Sequence, residues 1–236
     1  GKCTVACPIS QYDPNYSPRK FVDNTLRRQD SELLSNDQLW LCLTCARCEV
    51  RCQSGVHYSE LTRSLRVEAH NLGNSGKCTH GGALQSLMHI MTANRLNQNR
   101  LSWLNKSLKT SAESEVLYFT GCLPYFDVLF ADLGVKSIGT ARSAVRLLNR
   151  LGIEPVLLPD ERCCGHDLLW SGDTEGFIRL AEHNLKAIIE SKAKQVVTTC
   201  PECYHTLKVE YPRQFGTLGF EVIHISQLLA EGIASG

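Results

Sequence analysis

The sequence predicts a mixed fold, with a helical, cysteine-rich part to about residue 110 and an α/β part with a mainly parallel sheet over residues 111–236. Three observations predict it. Cysteine runs in the first part alternate with segments of helical period, the composition changes at Ser111-Ala112-Glu113-Ser114-Glu115, and short apolar runs then alternate with amphipathic stretches. At 236 residues the chain has room for one large domain or two modest ones.

In chain order, Pro14 and Pro18 with their polar neighbours mark a loop, and Ser35-Asn36-Asp37 offer N-caps ahead of the first long cysteine run. Ser59 is placed to cap a helix with Leu61, Leu65 and Leu72 on one face and Gly73 as its stop. Ala83, Leu84, Leu87, Met88 and Met91 repeat at helical spacing, with the methionines read as core. Strands are expected at Val116–Thr120, Val156–Leu158, Gln195–Thr199 and Val222–Ile223. Between them, helices are expected on Ala141, Val145, Leu148 and Leu151, stopped by Gly152, and on Ile178, Ala181, Leu185 and Ile188.

Twelve cysteines sit in tight clusters. Clustering favours metal ligation in a reducing cytosol over a disulfide framework, and adjacent Cys163-Cys164 would make poor structural bridges. Cys42, Cys45, Cys48 and Cys52 follow the spacing C-x2-C-x2-C-x3-C, which suits a [4Fe–4S] cube because three close thiolates cap three corners. In two-cluster ferredoxins the fourth ligand of each cube comes from the other run, and Cys3-Thr4-Val5-Ala6-Cys7-Pro8 reads as the tail of that run. By this rule Cys7 completes a cubane site with Cys42, Cys45 and Cys48, while Cys3 and Cys52 belong to a second cubane site. Its two remaining thiols would fall just before Gly1. The absence of an initiating Met fits a missing or processed start.

Cys122 lies past the first expected strand, Cys163 and Cys164 past the second, and Cys200 past the third. In a parallel sheet these positions share the carboxyl edge, where open α/β sheets bind ligands. Pro201 suits a first helical turn that brings Cys203 near Cys200.

Gly121-Cys122, Cys163-Cys164-Gly165 and Cys200-Pro201-Glu202-Cys203, with intervals of 40 and 35 residues, resemble one complete cysteine-rich CCG motif of the B-type and D-type catalytic subunits of heterodisulfide reductase. The first part is similar to the helical two-cluster ferredoxin module of that enzyme's C-type subunit, which is fused to the CCG part in the D-type. Together the matches cover nearly the whole chain. The resemblance implies an all-α two-cluster ferredoxin-like domain over residues 1–110 and a CCG domain over 111–236. It further implies a noncubane [4Fe–4S] cluster on Cys122, Cys163, Cys164, Cys200 and Cys203, with disulfide chemistry between two such clusters. An electron-transfer role follows, with a flavoprotein or other redox subunits as partners and a thiol or disulfide as substrate.

Two departures qualify this. Gln53 stands where the ferredoxin motif carries Pro, a turn device and not a ligand, and only one CCG motif is present. One motif gives half of a paired site, so the second is expected from a following segment or another subunit, and disulfide catalysis is expected only with both. Two other readings stay open. Similar chains serve lactate, glycolate or glycerol-3-phosphate dehydrogenases as electron conductors, and the cysteines of a structural module can hold zinc.

Charge is balanced, 25 Lys+Arg against 24 Asp+Glu, which gives no basic signature for nucleic acid. No apolar stretch reaches bilayer length and no secretory signal opens the chain, so the cytoplasm is expected, with any membrane docking through a partner. Cys78 matches neither pattern and reads as a small buried or loop residue. His166 is a candidate acid or donor to sulfur, the other histidines suggest no role, and Glu202 serves to begin a helix. Gly81-Gly82 reads as a turn and not a phosphate loop.

Overall fold

The computed structural model describes residues 1–27, 30–76 and 82–234, so Cys78 and Gly81 lie outside the described residues. Short helices dominate the first part: α1 (Lys2–Ala6), α2 (Pro8–Tyr12), α3 (Pro18–Leu26), α4 (Asp30–Ser35), α5 (Arg47–Val50), α6 (Tyr58–Asn71) and α7 (Ala83–Met91). Proline explains two of the starts. Pro8 and Pro18 occupy first-turn positions, where a missing N–H costs nothing, so Pro18 opens α3 instead of lying in a loop. Asn36 caps as expected, its side chain accepting from Gln38 N at 2.8 Å, but the element it starts is a 3₁₀ turn, Asp37–Leu41.

Helix α6 is rotated from its expected face. Its buried residues are Tyr58, Ser59, Thr62, Leu65, Arg66 and Ala69, while Leu72 is 66% exposed. Ser59 does not cap it. His57 takes the cap position, and the Glu49 carboxylate accepts from both Ser59 N and Ser59 Oγ. Gly73 ends the helix in the left-handed region, at φ 81°, as expected.

From residue 116 the chain alternates as predicted. Three parallel strands, β1 (Val116–Phe119), β2 (Gln195–Thr198) and β3 (Glu221–His224), pair in that order, with Val116 opposite Gln195 and Gln195 opposite Glu221. Leu117, Tyr118, Phe119, Val196 and Val197 are all buried, the continuous apolar run of a sheet covered on both faces. The strand expected at Val156–Leu158 shrinks to one bridge beside Leu117 at the sheet's edge. Pro155 and Pro159 bracket it, and neither has an N–H to extend a ladder.

Helices fill the connections: α8 (Leu123–Leu129), α9 (Ser137–Arg150), α10 (His166–Trp170), α11 (Thr174–Glu190), α12 (Pro201–His205), α13 (Tyr211–Phe215) and α14 (Ile225–Ala234). Helix α9 buries Ala141, Ala144, Val145 and Leu148 and leaves Leu151 exposed. It closes with Ile153 N donating to Leu148 O at 2.9 Å, a Schellman closure that needs the positive φ of Gly152. Helix α11 buries the expected Ala181 and Ile188 together with Phe177, Leu180 and Asn184, and leaves the expected Ile178 and Leu185 half-buried. A π-helical turn, Thr206–Glu210, joins α12 to α13.

The contacts divide the chain into two units, Gly1–Gln85 with Asp167–Thr174, and Ser86–His166 with Glu175–Gly236. Every element of the first unit is helical among the described residues. Its core gathers Tyr16, Phe21, Leu33, Leu39, Tyr58 and Leu65. In the second unit Trp103, Leu108, Tyr118, Val145, Leu148, Val197 and Ile223 share one core, so residues near 103–108, placed by composition in the first domain, pack with the sheet.

Candidate metal centres

In the first unit, Thr44 and Ala46 adopt left-handed backbone, φ 49° and 55°, which is costly for residues with a Cβ. The strain curls the run so that Cys42, Cys45 and Cys48 line one pocket together with Cys7, Tyr16, Pro18 and Tyr58. Cys7 reaches it from the extended junction between α1 and α2. Cys3 and Cys52 line a second pocket, shared with Cys48, Arg19 and Asp23. Cys48 lines both pockets, so the pockets group the cysteines without dividing them cleanly into two sets.

Backbone N–H groups face the sulfurs, Thr44 N to Cys42 Sγ and Val56 N to Cys52 Sγ, both at 3.4 Å. Burial and the neighbouring Cys42 push the Cys48 thiol up to about 11. Tyr16 and Tyr58 share a buried hydroxyl–hydroxyl bond of 3.1 Å, and burial holds both phenols above their ordinary range.

In the second unit the five remaining thiols come together, Cys122 beside Cys163, Cys163 beside Cys164, Cys164 beside Cys203 and Cys203 beside Cys200. Topology brings them there. Cys122 caps α8 just past β1, and Cys200 caps α12 just past β2, its Sγ accepting from Cys203 N at 3.4 Å. Gly121 must be small as well as left-handed, since a Cβ there would stand 3.0 Å from Cys203 Sγ. Cys163, Cys164 and Cys203 are buried, and their thiols lie well above the ordinary value. Contact with a neighbouring thiol is the main cause, burial a further one. Cys200 is lowered, because the Cys203 thiol donates to it.

Five crowded thiols cannot ionise together without positive charge among them. Bound iron would supply it, since a coordinated thiol is deprotonated outright. Both sets of sulfurs fit iron–sulfur ligation by their softness, convergence and facing N–H groups.

Sequence reasoning missed the groups that hold these thiols. Arg100 and Glu161 form a fully buried ion pair at 2.6 Å. Arg100 also donates to Thr120 Oγ1 at 2.8 Å and Gly121 O at 2.7 Å, while Glu161 accepts from Gly121 N at 2.7 Å. The pair therefore ties the backbone before Cys122 to the backbone before Cys163. Asn184 donates to Cys163 O at 2.8 Å, Tyr211 to Cys164 O at 3.2 Å, and Met91 Sδ accepts from Cys163 N at 3.3 Å. Only the helical spacing that marked Met91 as core hinted at this. His166 serves Cys164 through its backbone N–H, and its imidazole Nδ1 stands 3.8 Å from Glu202.

Comparison with known families finds iron–sulfur relatives for both parts of the chain. Residues 1–56 match a 4Fe-4S dicluster domain and residues 116–208 a cysteine-rich domain of the CCG type. The D-type subunit of the dihydromethanophenazine:CoB–CoM heterodisulfide reductase of Methanosarcina acetivorans is 33% identical over 201 residues, 83% of this chain and 47% of that protein. The chain is an iron–sulfur protein related to heterodisulfide reductase. The B-type subunit of the CoM/CoB fumarate reductase of Methanothermobacter marburgensis is 25% identical over 98% of this heterodisulfide reductase-related chain and 46% of its own length. An EtfAB:quinone oxidoreductase of Syntrophomonas wolfei is 25% identical over 87% of this chain and 29% of its own. The chain thus spans half or less of the length of these relatives. No solved structure matches it. No helix among the described residues is long and apolar enough to cross a membrane.

Proposed function

We propose that this chain is the electron-relaying part of a heterodisulfide reductase-like oxidoreductase, an all-α two-cluster ferredoxin-like domain joined to a CCG domain. Cys7, Cys42, Cys45 and Cys48 hold a cubane cluster, and Cys3 and Cys52 contribute to a second. Cys122, Cys163, Cys164, Cys200 and Cys203 hold a noncubane cluster at which disulfide chemistry takes place once a second CCG motif completes the site. Bound clusters of these kinds supply one-electron transfer. The chain's residues position the thiolates, exclude water and aim N–H groups at sulfur. Partners are a flavoprotein or other redox proteins, in the cytoplasm. The observation that carries the reading is the convergence of five thiols from three separate loops.

The test is iron, zinc and acid-labile sulfide per chain after anaerobic purification. About eight iron with matching sulfide corresponds to one cubane and one CCG cluster, and about twelve to a completed second cubane. Zinc without sulfide would sink the proposal and leave a structural metal module.

The quinone oxidoreductase relative favours a second reading, in which the CCG cluster only conducts electrons for a flavin dehydrogenase of lactate, glycolate or glycerol-3-phosphate type. Titration with thiols and disulfides separates the two: a perturbed CCG electron paramagnetic resonance (EPR) signal marks disulfide chemistry, and an unchanged one marks conduction.

A further inference from the structure

Arg66 carries a whole positive charge into the first unit with only 6% of its surface exposed. All its hydrogen bonds go to neutral carbonyls. Its Nε and one Nη reach Leu39 O at 3.3 and 3.2 Å, the same Nη reaches Cys42 O at 2.8 Å, and the other Nη reaches Trp170 O at 2.9 Å. The guanidinium also lies 5.4 Å from the Trp40 ring centroid. Among the described residues no carboxylate pairs with it, unlike Arg100, whose buried charge meets Glu161.

Burying an uncompensated charge is among the costliest things a fold can do, and carbonyl dipoles only partly offset it. The anionic chemistry at this place is the thiolate set that begins with Cys42. A cube held by four thiolates carries net negative charge, and each electron it accepts adds one more. A fixed cation in a dry setting then favours the reduced form over the oxidised one.

We propose that Arg66 is the built-in counter-charge of the cluster on Cys7, Cys42, Cys45 and Cys48 and raises its reduction potential. This rests on the cubane assignment above. Arg66 acts through the charge it presents, so it is a positioning and tuning residue and not a ligand. Exposed Arg47, which lines the pocket of these four cysteines, provides a comparison, because water and salt screen its charge.

The experiment is a dithionite titration of anaerobically reconstituted full chain, followed by EPR, for the wild type and for R66Q, R66K and R47Q, with iron and sulfide assayed first. R66Q is expected to retain iron and shift the cubane midpoint to lower potential, leaving the CCG signal in place. R66K, which keeps the charge but not the fork of donors, is expected to stay near the wild type, and R47Q to shift less than R66Q. Iron-replete R66Q with an unmoved midpoint overturns the proposal, as does R47Q shifting as far as R66Q. Should R66Q fail to hold iron, R66K decides: a wild-type midpoint supports the charge role, and a displaced one overturns it. A wild type without iron or sulfide fails at the assay, and that result refutes the cubane assignment itself.

Discussion

At the scale of single residues, the groups that matter most are those behind the sulfurs. Arg100→Met would leave Glu161, whose carboxyl is already pushed above its ordinary range by burial, without its cation in a fully buried site. Breaking such a pair costs about 3–5 kcal/mol, so the urea midpoint of the cluster-free variant is expected to fall sharply and its iron uptake at the CCG thiols with it. An unchanged midpoint would show that the surrounding N–H groups suffice for Glu161. Gly165 makes a second demand, with φ 87° and a Phe177 ring carbon 2.8 Å from where a Cβ would sit. Gly165→Ala is therefore expected to cost roughly 1–3 kcal/mol in thermal or chemical unfolding. Phe177→Leu in the same chain should recover only the contact part, since the backbone strain stays.

At the scale of elements, the carboxyl edge of the sheet is what gathers distant cysteines, and its titration can be tested. In the cluster-free protein Cys163, Cys164 and Cys203 titrate above their ordinary value, whereas in the unfolded chain they titrate at it. Their contribution to stability is then complete below that value and lost as pH rises past it toward the folded values. Lowered Cys200 acts with the opposite sign, its contribution present above the unfolded value and lost as pH falls through the folded one. With Cys48 also raised, four thiols against one predict a melting temperature that drops from about pH 8 to about pH 10 in cluster-free protein, near the ordinary thiol range. A flat profile would contradict the crowded-thiol geometry. The cysteine spacings, three of the four expected strands and the stops at Gly73 and Gly152 were readable because each obeys a local rule. The helix faces were less so: Arg66 and Thr62 on α6 and Asn184 on α11 turned out to be inward, and a polar residue facing a site looks like a surface residue in a hydrophobic pattern.

At the scale of the whole molecule, the two units differ in what supports them. The second has a sheet with a shared apolar core. The first relies on helices mostly too short to persist alone, since the longest of α1 to α5 has 9 residues. Metal binding is folding free energy in such cases. Hydrogen exchange should therefore show amide protection collapsing over α1 to α5 on cluster removal while β1, β2 and β3 keep theirs. Equal protection in both states would mean that the first unit folds without metal.

By itself the sequence determined the chemistry: thiols in two spacings, one set local and one split across three loops, readable because ligand spacing and strand–helix rhythm are local properties of a chain. Only the tertiary structure decided which groups surround those thiols. The Arg100–Glu161 pair spans 61 residues, and Arg66 meets Trp170 across 104. Such contacts are set by how buried charge must be compensated once the chain is packed, a condition that no local pattern records.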